Sequence, residues 1–312
     1  MKMMIDITLL GTSALVPLPD RAQTAMYLVC GGHSILFDCG EGTQTAARKA
    51  GVSLIHTDII ALTHYHGDHI FGLPGLLQTM NVLGARTEKL TIIGPAGIEC
   101  ELAPMMQLVG GLPYEVCLCE IPKEGVELNA ISGGWPDGAR LTPVKTEHRV
   151  VSQGYVFELP RGGKFDPQKA EALGIPNREW GKLQKGNKVI ANGKEYTPDQ
   201  VVGPPRKGLK TVFTGDTSFC DTLKEAAVGA DLLICEATYG ENEQGEAARE
   251  YGHMNFAQAA SLAAQADVKR LWLAHFSQMI KDPEEYLPNA TAVFEKTECG
   301  FDGKRLTLRF EK

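Results

Sequence analysis

The segment "ALTHYHGDHIFGLPGLL" (residues 61–77) decides the fold of this chain, because it places three histidines and an aspartate within six positions. An apolar run leads directly into this cluster, as is typical of a buried strand that ends at a site. Alternate residues of an extended segment point the same way, so His64 and His66 are expected to face one metal ion. Gly67 permits a sharp turn, which would bring Asp68 and His69 towards a second ion.

A hydrogen-bonded core histidine is the ordinary explanation for any one of these residues. Here that explanation would have to apply three times, beside a carboxylate, in a buried position. Burying such groups without compensation is costly in free energy. The cluster therefore favours a metal site over a purely structural role.

Two metal ions need more ligands than this turn supplies, so further donors are expected at other strand ends. His148 ends the alternating run 144–148, Asp216 follows the apolar strand 211–214, and His275 follows the strand 271–274. A single residue of this kind is usually a cap or a turn residue. After the first cluster, however, three such residues on a rigid sheet predict that they complete the site.

The rest of the chain alternates short strands with helices. Strands are predicted at 5–10, 26–30, 35–37, 154–159, 211–214, 232–235 and 271–274. Helices are predicted at 41–50, 68–80, 95–109, 221–228 and 255–266. A β-rich half followed by a βαβα half predicts an α/β fold, an αββα sandwich in which two sheets pack face to face with helices outside.

The charge of the chain is unevenly distributed. The 312 residues carry a formal net charge of −7, but residues 161–210 contain eleven basic and five acidic side chains. A basic insertion in an acidic protein is a plausible binding surface for a polyanion, and equally a solvated surface excursion. The N-terminus meets Asp6 before any apolar run, and no stretch approaches the roughly 20 apolar residues of a membrane span. We therefore expect a cytoplasmic protein with no membrane partner.

The order of the motifs resembles that of the metallo-β-lactamase superfamily, whose fold is the αββα sandwich. The motifs are His-x-His-x-Asp-His, a later His, Gly-Asp-Thr and a final strand-end His. More narrowly, flanking strings between about residues 5 and 276 resemble the ribonuclease Z family, which removes the 3′ trailer from precursor tRNA. These strings lie at 11–14, 37–44, 63–77, 154–155, 203–205 and 235–238.

This resemblance implies a dinuclear site. One ion would be held by His64, His66 and His148, and the other by Asp68, His69 and His275, with Asp216 bridging the two. It implies two Zn²⁺ ions per chain, with Mn²⁺ or Fe²⁺ as alternatives, and metal-hydroxide attack on a phosphodiester. Asp68 would also orient the attacking hydroxide.

The resemblance also implies a proton donor for the leaving 3′ oxygen. His253 would supply the proton, Glu236 would orient its ring, and Asp38 would support the metal-binding turn. The alternatives are a surface histidine that caps a helix and a strand-end carboxylate that faces water.

The predicted organisation is one metallo-β-lactamase-like domain over 1–312 with an inserted arm at about 161–208. The family's arm carries a Gly-Pro motif in a Pro-Pro-Gly-Pro context, whereas this arm reads "LGIPNREWGKL" over 173–183. Lys182, Lys185 and Lys188 are expected to contact phosphates. Trp180 is expected either to stack on a base or to anchor the arm itself.

The sequence therefore predicts a zinc-dependent endoribonuclease that acts on precursor tRNA, and a homodimer by resemblance to the family. The alternative is a small-molecule phosphodiesterase or another metallo-hydrolase of the same superfamily. A nucleic-acid-binding protein with an inactive site is a third hypothesis, which the full set of expected ligands disfavours. A bridging aspartate in place of a thiol argues against a β-lactamase.

Overall fold

The computed structural model describes residues 3–84 and 86–311, which form two compact units. The first unit comprises the chain up to Glu158 together with Lys210–Arg309, and the second comprises Leu159–Leu209 together with the residues from Phe310 onwards. Each unit has a hydrophobic core of its own.

The helices and strands follow one another through the described residues in a mixed order. The strands are β1 (Met4–Gly11), β2 (Ala25–Cys30), β3 (His33–Phe37), β4 (Ile59–Ala61), β5 (Leu90–Gly94), β6 (Val116–Glu120), β7 (Val126–Glu127), β8 (Arg140–Lys145), β9 (Gln153–Arg161), β10 (Val189–Ala191), β11 (Lys194–Tyr196), β12 (Arg206–Phe213), β13 (Leu232–Glu236), β14 (Leu271–Ala274), β15 (Thr297–Cys299) and β16 (Arg305–Arg309). The α-helices are α1 (Thr43–Lys49), α2 (Gly67–Ile70), α3 (Leu73–Gly84), α4 (Ile98–Val109), α5 (Pro167–Ala172), α6 (Asn177–Gln184), α7 (Asp221–Ala227), α8 (Gly245–Glu250), α9 (Phe256–Gln265) and α10 (Leu287–Thr291). Short 3₁₀ helices lie at Leu128–Ala130, Pro198–Gln200, Asn242–Gln244 and Pro283–Glu285.

Two seven-stranded mixed sheets form the centre of the first unit. Their strand orders are β16-β1-β2-β3-β4-β5-β6 and β15-β14-β13-β12-β9-β8-β7. The sheets face each other through aromatic side chains, since the Phe37 ring lies 5.6 Å from that of Tyr155 and 5.7 Å from that of Phe213. The Tyr155 hydroxyl donates a hydrogen bond of 2.6 Å to the Leu62 carbonyl. The sheets therefore share one apolar interface, as a sandwich requires.

Helices cover the outer face of each sheet. Leu76 and Met80 of α3 and Leu102 of α4 are buried in one core cluster with strand residues of the first sheet. Phe256 and Leu262 of α9 are buried in the other, with strand residues of the second sheet. The αββα sandwich predicted from the sequence is thus confirmed. No helix within 3–84 and 86–311 is long and apolar enough to span a membrane.

The helix predicted over 68–80 is two helices, α2 and α3, and not one. The chain turns at Gly72, whose N–H donates to the Cys39 carbonyl at 2.8 Å. A Cβ on Gly72 would lie 2.3 Å from the Gly40 carbonyl oxygen, so a side chain does not fit there. Pro74 has no N–H to donate and therefore suits the first turn of a new helix.

The second unit is a folded element and not an irregular excursion. Helices α5 and α6 pack with the hairpin β10-β11 around a small core that includes Ile175, Leu183 and Tyr196. The hairpin turns through Asn192 and Gly193, both with positive φ, as an Asn-Gly turn requires. Asp166 caps α5 by accepting a hydrogen bond from the Lys169 N–H at 3.1 Å.

Candidate active site

The candidate ligands lie where strands of the two sheets end. His64 follows β4 by three residues, Asp216 follows β12 by three residues, and His275 comes directly after β14. Strands β12, β13 and β14 are parallel neighbours, and the carboxyl ends of parallel strands meet at one edge of a sheet. Residues distant in the sequence therefore converge at this edge.

The first group of candidate ligands consists of His64, His66, His148 and Asp216. Nε2 of His64 lies 3.0 Å from Nδ1 of His66, and Nε2 of His148 lies 3.4 Å from that same Nδ1. Oδ2 of Asp216 lies 3.7 Å from Nε2 of His64. Four donor atoms therefore surround one small space.

The second group consists of Asp68, His69, His275 and, again, Asp216. Oδ1 of Asp216 lies 3.2 Å from Nε2 of His69 and 3.1 Å from Nε2 of His275. Oδ2 of Asp68 lies 3.6 Å and 3.4 Å from those two nitrogens. Because Asp216 turns one oxygen to each group, its carboxylate lies between two four-donor sites.

The donors fit divalent metal ions in spacing and in chemistry. A tetrahedral ion with bonds of about 2.0–2.1 Å separates its ligand atoms by about 3.3 Å, close to the spacings within both groups. Nε2 of His69, Nε2 of His275 and Oδ1 of Asp216 are buried and have no hydrogen-bond partner among the described residues. Unpaired buried polar atoms are rare. Three of them facing one another indicate that cations complete the site.

Most of the candidate imidazoles are held in place by their other ring nitrogen, as metal-binding histidines usually are. In four of the five rings, all except His66, Nδ1 contacts an oxygen atom. The pairs are His69 with Asp38 Oδ2 at 2.7 Å, His148 with the Gly252 carbonyl at 2.8 Å, His275 with Thr238 Oγ1 at 2.9 Å and His64 with Thr63 Oγ1 at 3.1 Å. In each of these four rings Nε2 therefore points into the site.

Asp38 supports the metal-binding turn from behind. Besides the contact with His69, its carboxylate accepts hydrogen bonds of 2.8 Å from the N–H and from the hydroxyl of Thr63. Asp38 is fully buried. It therefore fixes the start of the turn and the His69 ring together.

The electrostatics of two donors, His64 and Asp216, favour metal-binding protonation states. His69 differs, because Asp216 and Asp38 outweigh its burial and raise the pKa of its ring. Burial, together with the neighbouring His69 imidazole, holds the pKa of His64 well below its usual value. Burial alone would raise the pKa of Asp216, but His275 and His69 outweigh it and hold that pKa well below its usual range. At neutral pH His64 is thus a neutral donor and Asp216 a carboxylate.

His253 and Glu236 form a hydrogen-bonded pair next to both groups. Nδ1 of His253 lies 2.8 Å from Oε1 of Glu236. The His253 ring lies 5.0 Å from that of His148 and stacks at 5.5 Å on that of His275. Burial would lower the pKa of His253, but Glu236 outweighs it and raises the pKa to about 9. The imidazole therefore carries a proton at neutral pH.

The structure brings together other residues that sequence reasoning missed. Thr238 donates its hydroxyl to Glu236 at 2.9 Å and contacts the His275 ring. The Leu15 N–H donates to Asp68 Oδ2 at 2.8 Å. A groove of about 1020 Å³ is lined by Lys123, Lys145 and His148. Thr238 and Lys145 lie in stretches that the sequence singled out, 235–238 and 144–148, whereas Leu15 and Lys123 do not.

The predicted arm residues lie in the second unit. The Trp180 indole N–H donates to the Ile175 carbonyl at 2.9 Å, and its ring packs 5.4 Å from that of Phe165. Of the two roles predicted for Trp180, this geometry is that of an anchor for the arm. Lys182 pairs with Glu179 at 2.9 Å and Lys188 with Glu195 at 3.2 Å, and both lysine side chains are exposed.

The fold and the paired donor groups define a metal-dependent hydrolase of the metallo-β-lactamase superfamily. The model of that superfamily matches residues 19–147, and a beta-lactamase superfamily domain model matches residues 200–276. The crystal structure of human tRNase Z, short form, is 26% identical, with a TM-score of 0.66 over 98% of this chain and 100% of that one.

Full-length relatives define the family. Ribonuclease Z of Agathobacter rectalis is 42% identical over 99% of this chain and 100% of its own length. Ribonuclease Z of Clostridioides difficile is 40% identical over 99% and 100%, respectively. The chain belongs to the ribonuclease Z family, and it is accordingly a metal-dependent nuclease that hydrolyses phosphodiester bonds.

Proposed function

We propose that this chain is an endoribonuclease that uses two zinc ions to remove the 3′ trailer from precursor tRNA. The observation that carries this proposal is the position of Asp216 between two groups of four donors, in a chain of the ribonuclease Z family. Each group offers imidazole nitrogens and carboxylate oxygens, a mixture that zinc accepts readily. Mn²⁺ and Fe²⁺ take similar ligands and are the alternatives.

The chain's own residues would prepare the attack on the phosphodiester. When bound, two such ions lower the pKa of a water molecule and neutralise the charge that develops on the phosphate. Asp68 lies beside both His69 and His275. Burial alone would raise the pKa of Asp68, but His275 and His69 stabilise its carboxylate and hold the pKa below its usual range. An ionised Asp68 would accept a hydrogen bond from the attacking water and so orient it.

His253 would donate a proton to the leaving 3′ oxygen. Its Nδ1 is held by Glu236, which leaves Nε2 to act as the donor. Thr238 bonds the second oxygen of Glu236, so the carboxylate is fixed on both sides. Because the ring is already held in one orientation, less conformational entropy is lost when it donates the proton.

The second unit, residues 159–209, would bind the RNA and not catalyse its cleavage. Lys182, Lys185 and Lys188 are exposed cations, and RNA binding is dominated by such contacts with phosphates. In the first unit, the groove lined by His148 also carries Lys123 and Lys145. These two lysines would guide the RNA backbone to the site.

The proposal also includes a homodimer and a cytoplasmic location, which are expectations from the resemblance to the family alone. The oligomeric state is measurable by light scattering, with and without metal. Precursor tRNA is the substrate of this proposal, so the enzyme would act in the compartment where tRNA is transcribed.

A paired assay tests the function. Purified protein reconstituted with zinc is given a trailer-bearing precursor tRNA and, separately, a chromogenic small phosphodiester. We expect cleavage at the trailer junction with a 3′ hydroxyl on the tRNA product. Turnover of the small diester with intact precursor tRNA would contradict the proposal and favour the small-molecule phosphodiesterase.

Metal analysis tests the number of ions. We expect two ions per chain, with activity restored by zinc after chelation. A content below one ion per chain in the reconstituted protein would contradict the dinuclear site.

A further inference from the structure

Leu15 has a backbone conformation that a leucine rarely adopts. Five residues other than glycine have a positive φ among the described residues: Leu15, Asp38, Asn192, Asp267 and His275. Asn and Asp tolerate this conformation in turns, whereas for a bulky side chain it is a genuine outlier. Leu15, at φ 55°, is the only aliphatic residue of the five. Strained residues of this kind cluster at functional sites.

The backbone of Leu15 is tied to the candidate active site. Its N–H donates to Oδ2 of Asp68 at 2.8 Å, and its carbonyl accepts a hydrogen bond of 2.6 Å from Nε2 of Gln23. The preceding N–H, of Ala14, donates to the carbonyl of Phe276, the residue after His275. The unusual φ therefore serves to aim the Leu15 N–H at Asp68.

The side chain of Leu15 is not needed for this arrangement. Both backbone groups of Leu15 would be supplied equally by glycine, which adopts a positive φ without strain. Leu15 is 64% exposed, so its side chain contributes little to the core. The fold thus carries both backbone strain and an exposed apolar side chain at this position, and neither stabilises it.

The surroundings of Leu15 indicate what the side chain would contact. Val16 is also exposed, and Met279, three residues beyond Phe276, is 79% exposed. An apolar side chain offers nothing to a phosphate or a ribose hydroxyl, but it can bury against the flat face of a nucleobase. A base next to the scissile phosphate is the apolar surface that a nuclease substrate brings to such a place.

We propose that Leu15 is a substrate-contact residue that packs against the nucleobase next to the scissile phosphate, while its N–H positions Asp68. The inference rests on the proposed function, because it takes RNA as the substrate. It assigns two separate tasks to one residue, one to the backbone and one to the side chain. The tasks are separable, because substitution changes only the side chain.

The test compares Leu15→Gly, Leu15→Asn and Leu15→Met in cleavage of a precursor tRNA, after wild-type cleavage has been established. Glycine and asparagine suit the positive φ but remove the apolar surface, so we expect KM to rise about tenfold with kcat within about threefold. Methionine retains an apolar side chain, so its KM should stay near the wild-type value. Leu15→Gly should also raise Tm by roughly 2–4 °C through relief of strain.

Two further variants separate substrate contact from general effects. Asp267→Gly changes a residue of the first unit that has a positive φ but lies outside the site. Val228→Ala shortens an exposed apolar side chain. Neither should change KM. Wild-type KM in Leu15→Gly and Leu15→Asn would overturn the proposal, as would an equal loss of kcat and bound metal in all three Leu15 variants. Failure of the wild type to cleave precursor tRNA would instead refute the proposed function.

Discussion

The charged groups of the first unit and those of the second unit differ in what holds them. In the first unit, Asp216 is 3% exposed and lies among imidazoles whose other nitrogens are bonded to the protein. In the second unit, the side chains of Lys182 and Lys188 are 63% and 67% exposed and are paired only with neighbouring carboxylates. Buried, fixed charge supports chemistry, whereas exposed charge supplies attraction that salt screens. Mutations in the two units should therefore have different signatures.

The largest effect is expected from His66→Ala. Removal of this donor leaves the first group with three ligands, so turnover of any phosphodiester should fall by about 10⁴-fold or more, with loss of bound metal. Kinetics and metal analysis of the same preparation measure both effects. His56→Ala is the matched control, since His56 is exposed and lies outside both donor groups. Retention of full metal content and activity by His66→Ala would show that His66 is not a metal ligand.

Deletion of residues 165–200 should have the next largest effect, and only on RNA. Gly203 donates its N–H to the Lys164 carbonyl at 2.9 Å, so a short glycine linker can close the gap. Cleavage of precursor tRNA should fall by about 10²–10³-fold, because the arm supplies binding energy and not chemistry. Turnover of a small chromogenic diester should be retained. Equal loss on both substrates would show that the arm is structural.

Asp38→Asn tests the support behind the donor groups. Asp38 accepts from His69 and from the Thr63 N–H with different oxygens. The amide has only one acceptor oxygen and cannot serve both, so metal affinity should fall by about 10–100-fold. Competition with a chromogenic chelator measures this. Asp58→Asn is a closely matched control, because Asp58 makes a similar contact of 3.1 Å with Nδ1 of His33 on a neighbouring hairpin. An unchanged metal affinity in Asp38→Asn would exclude this supporting role.

The donors of the first unit could be predicted from the sequence because their signals are local. His64 to His69 form one motif, and Asp216 and His275 come directly after apolar runs that are recognisable as strands. Thr238 and the Leu15 N–H escaped because a hydroxyl and a backbone group have no sequence signature. Their roles depend on contacts with residues far along the chain.

The second unit was harder to predict from the sequence. Its charge was evident, but its helices are short and its core is small, so the apolar pattern is weak. Trp180 illustrates the ambiguity, since a tryptophan in a basic segment is compatible with base stacking and with packing. The Phe165 contact that favours packing joins residues fifteen positions apart.

Lys185→Ala should have a small effect that appears only on RNA. Unlike Lys182 and Lys188, Lys185 has no ion pair among residues 3–84 and 86–311. The slope of log KM against log salt concentration should decrease by about 0.7–0.9, the contribution of one phosphate contact. KM should rise severalfold at physiological salt. Lys296→Ala is the control. Lys296 directly precedes β15, which runs parallel to β14, so it lies at the amino ends of these strands, whereas the candidate site lies at the carboxyl ends. An unchanged salt slope would exclude a phosphate contact at Lys185.

The smallest effect concerns Asp302, a half-buried carboxyl of the first unit that lies outside both donor groups and has no ion pair among residues 3–84 and 86–311. Asp302 accepts hydrogen bonds from the Thr12 hydroxyl at 2.9 Å and the Ala22 N–H at 2.6 Å, yet burial raises its pKa to about 6. The native state therefore binds the Asp302 proton more tightly than the unfolded state does. The contribution of this group to stability is largest below about pH 4 and is lost as the pH rises to about 6.

Asp302→Asn should remove this pH dependence. The free energy of unfolding of the wild type relative to the variant should fall by roughly 1–2 kcal/mol between pH 4 and pH 7, as measured by urea denaturation. Metal affinity and turnover on precursor tRNA should be unchanged, in contrast to the reduced metal affinity expected of Asp38→Asn. Glu295→Gln, which alters an exposed carboxylate of the same unit, should leave the pH profile of the wild type in place. A difference between wild type and Asp302→Asn that does not vary with pH would show that hydrogen bonding keeps the Asp302 carboxylate ionised in spite of its burial.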